Sequence, residues 1–190
     1  CVEFCPRSAI DFVERNSGHW FLTETHHGPL LHAKLLPGEG NSGKLVSLLR
    51  KKAKNLGAER GLDLVIADGS PGIGCPVIAS ITGADLALVV AEPTLSGIHD
   101  LDRAAALLRH FGVEALVCVN KWDINETLAE KVEEHAERNG LALAGRIRYD
   151  DAATDAQVAG TSVIEHGGAA ADDIRGIWTK VASFLRGTGG

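Results

Sequence analysis

The chain has 190 residues and a mass of 20.0 kDa, which suits one domain, with or without a small appendage. Hydrophobic residues make up 45% and charged residues 23%, a balance that excludes an intrinsically disordered chain. The net charge of −6 gives no general attraction to nucleic acid or to an anionic membrane, and no apolar run is long enough for a membrane helix. Four cysteines are too few for a disulfide scaffold, so the expected location is the reducing cytoplasm.

The first 40 residues predict strands and turns rather than helices. Two extended runs, at residues 20–25 and 30–36, are bounded by Gly, Pro and Asn turn signals. Cys1 and Cys5 open this segment in the pattern C-x₃-C-P, which ends the cluster-binding run of bacterial ferredoxins. Because the sequence begins at Cys1 and lacks methionine, we expect it to be a piece of a longer protein.

From residue 41 onward the pattern predicts alternating helices and strands. Apolar runs predict strands at residues 62–67, 86–91, 115–119 and 141–147, and Asn125 is the predicted N-cap of a surface helix. The last strand leads into a loop and then into a helix whose apolar stripe is Ile174, Ile177, Trp178, Val181 and Leu185. Strands that are apolar throughout indicate an α/β fold, with a mostly parallel sheet flanked by helices. Ligands bind such sheets beyond the carboxyl ends of the strands, which makes Asp68, Glu92 and Asn120 candidates.

Two short motifs that follow predicted strands are compatible with nucleotide binding. Asp68 opens D-G-S-P-G-I-G, where a carboxylate can hold a Mg²⁺-bound water and small residues let backbone N–H groups approach a phosphate. Asn120 opens N-K-W-D, and its carboxamide can pair with adenine. With Asp123 accepting from the base, the same four residues suit guanine. Each motif also fits a simple turn at a strand end.

The remaining candidate motifs are incomplete. Residues 38–44 fit the phosphate-loop pattern G-x₄-G-K, but Leu45 stands where Ser or Thr would reach Mg²⁺, so a Gly-rich turn that begins a helix is the favoured interpretation. Cys75 and Cys118 are interpreted as structural residues, and the histidines show no metal-ligand spacing. The basic run at residues 50–54 is interpreted as a solvated helix face, because no aromatic residues interleave with it.

Taken together, these segments resemble the MinD-superfamily P-loop ATPases that carry an inserted ferredoxin domain. The similar segments follow the family's order along nearly the whole chain. They comprise residues 5–10, 20–21, 24–25, 28–29, 38–46, 68–80, 83–85, 92–94, 97, 99–101, 120–123, 145–147 and 149–150. In that family the phosphate loop precedes the ferredoxin insert. The resemblance therefore implies that residues 1–18 are the tail of the insert and residues 19–190 the C-terminal part of the P-loop NTPase-like domain, without its phosphate loop.

The resemblance also implies an activity and a nucleotide site. The longer protein would be a switch ATPase that binds ATP and Mg²⁺ and forms a homodimer. Asp68 would be the catalytic, Mg²⁺-binding carboxylate, and Gly72 would lie near the γ-phosphate. Asn120, Asp123 and Tyr149 would complete the nucleotide-binding set. We expect the chain alone to be inactive as an ATPase.

An iron–sulfur role is implied in the same way. Cys1 and Cys5 would help to bind a [4Fe–4S] cluster in the longer protein, and an iron–sulfur or redox protein would be a partner. Ser70 and Arg148 depart from the family pattern, which usually has Pro at both positions. Two alternatives stay open: a GTP-binding protein that reads guanine through Asn120 and Asp123, and a non-hydrolysing electron-transfer or scaffold protein.

Overall fold

The structure is a computed structural model that describes residues 2–7, 9–10, 16–40 and 43–187. The chain divides into two compact units, Cys1–Ala67 (the N-terminal unit) and Asp68–Gly190 (the C-terminal unit). The predicted assignment of residues 1–18 to a ferredoxin-like insert stays a prediction.

The N-terminal unit contains a β-hairpin and one long helix. Strands β1 (Gly18–Thr25) and β2 (Gly28–Leu35) pair antiparallel, which confirms the two strands predicted in this region. Helix α1 (Gly43–Arg60) follows. A cation–π contact and an ion pair join α1 to β1: Lys52 Nζ lies 4.1 Å from the Trp20 ring centre, and Arg60 Nη2 lies 2.8 Å from Glu24 Oε1.

The strand predicted at residues 62–67 is wrong. These residues form no strand, and Leu64 and Ile66 expose 44% and 76% of their surface. An apolar run becomes a strand only when its backbone N–H and C=O groups pair with a neighbouring strand. In the part of the chain that the structure describes, no strand pairs with this segment. Asp68 consequently follows an irregular, exposed segment rather than a strand end.

The C-terminal unit is a three-stranded parallel sheet flanked by helices, which confirms the predicted α/β class. Its elements are α2 (Cys75–Ile81), β3 (Leu86–Ala91), α3 (Leu95–Phe111), β4 (Glu114–Asn120), α4 (Glu126–Arg138), β5 (Ala142–Ile147), α5 (Ala152–Ala159), α6 (Val163–His166) and α7 (Ala169–Gly187). The strand order is β3-β4-β5, and both pairings are parallel. The Asn125 side chain caps α4 as predicted, accepting from the Leu128 N–H at 3.0 Å.

The core lies on both faces of β4. Val117 and Val119 pack with buried residues of α3 and α4, including Leu101 and Val132. The alternate residues Leu116 and Cys118 pack with residues of α7 on the opposite face. Since both faces of β4 are covered, its sequence is apolar without alternation, as the parallel-sheet prediction requires.

Two local predictions in the last third of the chain are wrong. The loop predicted after β5 contains α5 and α6, and α6 begins with a capping box in which Ser162 Oγ accepts from the Glu165 N–H at 3.2 Å. The pattern S-x-x-E is a readable signal for this helix start. Trp178, which the sequence predicts on the apolar stripe of α7, is 47% exposed, because the buried face centres on Ile177 and Val181. No helix of the described residues is long and apolar enough to cross a membrane.

Candidate functional site at the carboxyl edge of the sheet

The parallel strands of the C-terminal unit end at nearly the same level. Ala91 of β3 is in register with Val119 of β4, and Asn120 is in register with Ile147 of β5. The residues that follow the three strands therefore share one edge, here called the carboxyl edge: Glu92, Asn120 to Asp123, and residues 148–150. In doubly wound folds ligands bind beyond this edge.

Asn120 and Lys121 form the turn at the end of β4. Asn120 is half-buried at the last position of the strand. Lys121 has φ 54° and ψ 41°, and no other non-glycine residue among the described ranges has a positive φ. Its Nζ lies 2.8 Å from Oε1 of Glu92, the residue that follows β3. This hydrogen bond raises the pKa of the Lys121 ammonium and joins the ends of β3 and β4.

The turn after β3 is closely packed against the start of α3. Thr94 caps the helix, because its Oγ1 accepts from the Gly97 N–H at 2.9 Å. A Cβ at position 97 would lie 2.3 Å from the Glu92 carbonyl oxygen, so the position requires glycine. The pattern E-P-T-x-x-G thus encodes a turn in which the helix N-terminus lies directly on the backbone at the carboxyl edge.

Asp123 lies beside the loop that follows β5. It belongs to a short 3₁₀ turn, Trp122–Ile124, and its Oδ1 accepts from the Tyr149 backbone N–H at 2.7 Å. Tyr149 is 52% exposed, and a hydrogen bond with Asp151 is the main cause of the raised pKa of its phenol. The structure therefore brings three predicted site residues, Asn120, Asp123 and Tyr149, to the same edge.

Contacts that sequence reasoning missed connect the loop after β5 to α7. The Asp173 carboxylate accepts from the Arg148 backbone N–H at 3.1 Å and from its guanidinium at 2.7 and 2.9 Å. The Asp173 side chain is only 16% exposed, and Arg148 holds the pKa of this carboxyl below its usual range. Asp150 accepts from the N–H groups of Ala152 and Ala170, each at 3.0 Å. The sequence signal for this ion pair was the arginine at position 148, where the resembled family usually has proline.

A second missed group fixes the 3₁₀ turn. Arg146 forms two hydrogen bonds with the Glu133 carboxylate of α4, each at 2.6 Å. Its guanidinium carbon lies 5.2 Å from the Trp122 ring centre. The residue before Asp123 therefore packs against the last part of β5.

Asp68 and Gly72, the predicted phosphate-side residues, lie in the exposed irregular segment before α2. Gly72 has φ 88°, a left-handed conformation that favours glycine. Lys44 of the incomplete phosphate-loop motif is exposed near the start of α1, and Asn41 and Ser42 of that motif lie outside the described residues. The functional roles of Asp68, Gly72 and Lys44 stay predictions.

The described cysteines do not fit a complete [4Fe–4S] site, which needs four thiolates. Cys1 lies outside the described residues, and the Sγ of Cys5 accepts from the Ala9 N–H at 3.4 Å. Cys118 is fully buried, which confirms its structural interpretation, and burial raises the pKa of its thiol to about 11. Cys75 is exposed at the first residue of α2.

No protein-family model matches the chain. Two proteins of Methanocaldococcus jannaschii are similar in sequence. The "Uncharacterized protein MJ0578" is 40% identical over 114 residues, which are 60% of this chain and 39% of that protein. The "Uncharacterized protein MJ0579" is 21% identical over 178 residues, which are 94% of this chain and 58% of that protein. The chain thus spans well under two thirds of the length of these relatives.

Three similar solved structures are MinD proteins. The Aquifex aeolicus MinD cell division protein matches with a TM-score of 0.64 and 22% identity over 85% of this chain and 68% of that one. A chain of the MinC:MinD cell division protein complex of the same organism matches with a TM-score of 0.64 and 24% identity, over 85% of this chain and 66% of that one. The Pyrococcus furiosus cell division ATPase MinD matches with a TM-score of 0.60 and 16% identity, over 75% of this chain and 59% of that one. The chain has a MinD-like P-loop NTPase fold. At these identities the likeness shows the fold alone.

Proposed function

We propose that the chain is the C-terminal part of a MinD-like, nucleotide-dependent switch ATPase. The observation that carries this proposal is the convergence of Asn120, Asp123 and the Tyr149 backbone at the carboxyl edge of a sheet with this fold. The Asn120 carboxamide supplies one donor and one acceptor, which suits the N6 and N7 atoms of adenine. ATP and Mg²⁺ would order the segment from Asp68 to Gly72, and hydrolysis would release it.

The phosphate side of the site is incomplete in the chain itself. Asp68 would supply a carboxylate to Mg²⁺, a cation that prefers oxygen ligands. Phosphoryl transfer also needs a lysine and a backbone cradle on the β- and γ-phosphates and a hydroxyl on the metal. Leu45, which follows Lys44, has no side-chain oxygen to offer. We therefore propose that the phosphate loop lies on a segment outside this chain.

The free edge of β3 is the proposed place for that segment. Among the described strands β3 pairs with β4 alone, and its Leu88 and Val90 are 42% and 56% exposed. A parallel strand that carries a phosphate loop beside β3, with its crossover helix, would cover this apolar surface.

Dimerisation, a redox partner and an iron–sulfur cluster are further parts of the proposal and rest on the resemblance and on the Cys1–Cys5 motif. Since only two of the four cysteines, Cys1 and Cys5, lie in the motif and Cys118 is buried, anaerobic reconstitution of the isolated chain should give no stable [4Fe–4S] absorbance. A cluster at full occupancy on this chain would contradict that expectation.

Asp68→Asn in the full-length protein tests the assignment of the Mg²⁺ carboxylate. We expect loss of Mg²⁺-dependent ATP hydrolysis with an unchanged melting temperature, because Asp68 is exposed. Asp63→Asn is the matched control, since Asp63 is an exposed carboxylate five residues earlier and should retain hydrolysis. Unchanged turnover in Asp68→Asn would refute the assignment.

The isolated chain tests the proposed place of the phosphate loop. We expect it to show no hydrolysis above background, with or without Mg²⁺. Hydrolysis that disappears in Lys44→Ala but persists in Lys54→Ala, an exposed lysine on the same helix, would identify residues 38–44 as a working phosphate loop and overturn the proposal.

A GTP-binding protein is the second candidate, favoured by the spacing N-K-x-D at residues 120–123. Competition between ATP and GTP for the full-length protein separates the two. Preference for adenine supports the proposed function, and preference for guanine supports the alternative.

A further inference from the structure

The Asp123 carboxylate is already engaged with the protein backbone. In a guanine site this carboxylate would direct its oxygens to the N1 and N2 hydrogens of the base. Here Oδ1 accepts from the Tyr149 N–H at 2.7 Å, a short charge-assisted hydrogen bond between residues 26 positions apart. The contact joins the segment after β4 to the loop after β5.

The segment that carries Asp123 is fixed on both sides. Before it, Lys121 pairs with Glu92, and Trp122 packs against the Arg146 guanidinium. After it, Asn125 caps α4. Rotation of the Asp123 backbone away from Tyr149 would break these contacts.

The loop on the other side of the contact is also held. Arg148 is bound through its backbone N–H and its guanidinium to Asp173 of α7. The Asp150 carboxylate binds the N–H groups of Ala152 and Ala170, near the starts of α5 and α7. Tyr149 therefore lies between two anchored neighbours, and its own N–H is bound to Asp123.

We propose that Asp123 is a positioning residue that holds the Tyr149 backbone and the loop at residues 148–150 in place, rather than an acceptor for guanine. The inference rests on the proposed function in that this edge binds a nucleotide. It adds that the base is read without a carboxylate, and that three carboxylates, Asp123, Asp150 and Asp173, preform the loop before the ligand arrives.

Amide hydrogen exchange at Tyr149, followed by NMR on the whole chain, tests the positioning role without any nucleotide. The wild type and Asp123→Asn should both protect the amide, within about threefold of each other, because a carboxamide oxygen can still accept. Asp123→Ala should exchange at least about tenfold faster at Tyr149. Asp155→Ala, which removes an exposed carboxylate of α5, is the control and should leave Tyr149 protected. Equal exchange in wild type and Asp123→Ala would overturn the proposal.

Binding of fluorescent adenosine, guanosine and xanthosine triphosphates to the full-length protein tests the base-reading role. If Asp123 were the guanine acceptor, Asp123→Asn would weaken guanosine binding and strengthen xanthosine binding by about tenfold or more, since its amide would then donate to the xanthine carbonyl. If Asp123 is a positioning residue, Asp123→Asn should keep the wild-type ranking of affinities for the three nucleotides. Asp123→Ala should weaken the binding of every nucleotide that the wild type binds. A switch toward xanthosine overturns the inference. If the wild type binds none of the three, the proposed function fails, while the exchange measurement still decides the role of Asp123.

Discussion

Gly97→Ala should destabilise the C-terminal unit, although alanine is the better helix former. The added Cβ would lie 2.3 Å from the Glu92 carbonyl oxygen and 3.1 Å from Thr94 Oγ1. Since real Cβ contacts are essentially never closer than 3.0 Å, the turn at the carboxyl edge must open by about 0.7 Å or more.

The expected change in the free energy of unfolding follows from two destabilising effects and one stabilising effect. Forcing a side chain into a filled site costs about 1–3 kcal/mol, and weakening the Thr94 cap costs about 1 kcal/mol. Alanine returns at most about 1 kcal/mol through helix propensity. The free energy of unfolding should therefore fall by about 1–3 kcal/mol.

Gly176→Ala is the matched control, because nothing lies within 4 Å of the position its Cβ would take on α7. This variant should be as stable as the wild type or more stable by up to about 1 kcal/mol. Urea unfolding followed by fluorescence in a Trp20→Phe background reports on Trp122 and Trp178, which both lie in the C-terminal unit. If Gly97→Ala proved as stable as Gly176→Ala, the close approach of α3 to Glu92 would be refuted.

Two predictions follow from shifted pKa values. Because Arg148 lowers the pKa of Asp173, this carboxyl stabilises the fold above its unfolded value of about 3.9 and loses that effect as the pH falls through its folded pKa. Asp173→Asn should therefore be less stable at neutral pH than Asp172→Asn, the control at an exposed site, and should lose less stability in acid. Urea midpoints between about pH 6 and pH 3 measure both effects. Superimposable curves for the two variants would contradict the ion pair. Because burial raises the pKa of Cys118 from 9.0 to about 11, the contribution of this thiol to stability should fall as the pH rises through that window. At mildly alkaline pH, iodoacetamide should modify the exposed Cys75 well before Cys118. Equal labelling of both thiols in the native chain, mapped by mass spectrometry, would show that Cys118 is not buried.

The sequence by itself determined the sheet of the C-terminal unit. Residues 115–119 are apolar without alternation because both faces of β4 are covered, and this local pattern is enough to indicate a central parallel strand. The Asn125 cap was also readable, because a helix cap depends on residues within one turn of the helix end.

Residues 62–67 show where the same kind of pattern fails. Five of their six residues are apolar, against all six in β3. A strand also needs a hydrogen-bonding partner, and a partner is a property of the tertiary structure. The prediction for Trp178 was wrong for a related reason. Helical periodicity predicts an apolar stripe, but the residues that pack against α7 decide which side of that stripe is buried.

The candidate site divides in the same way. Strand ends placed Asn120 and Asp123 at one edge, because polar residues that follow apolar strands are visible in the sequence. What Asp123 binds was not visible. Its partner is a backbone N–H 26 residues further on, and that backbone is held by Asp173, 25 residues beyond Arg148. Only the tertiary structure brings these groups within hydrogen-bonding distance, because they lie 26 and 25 residues apart in the chain.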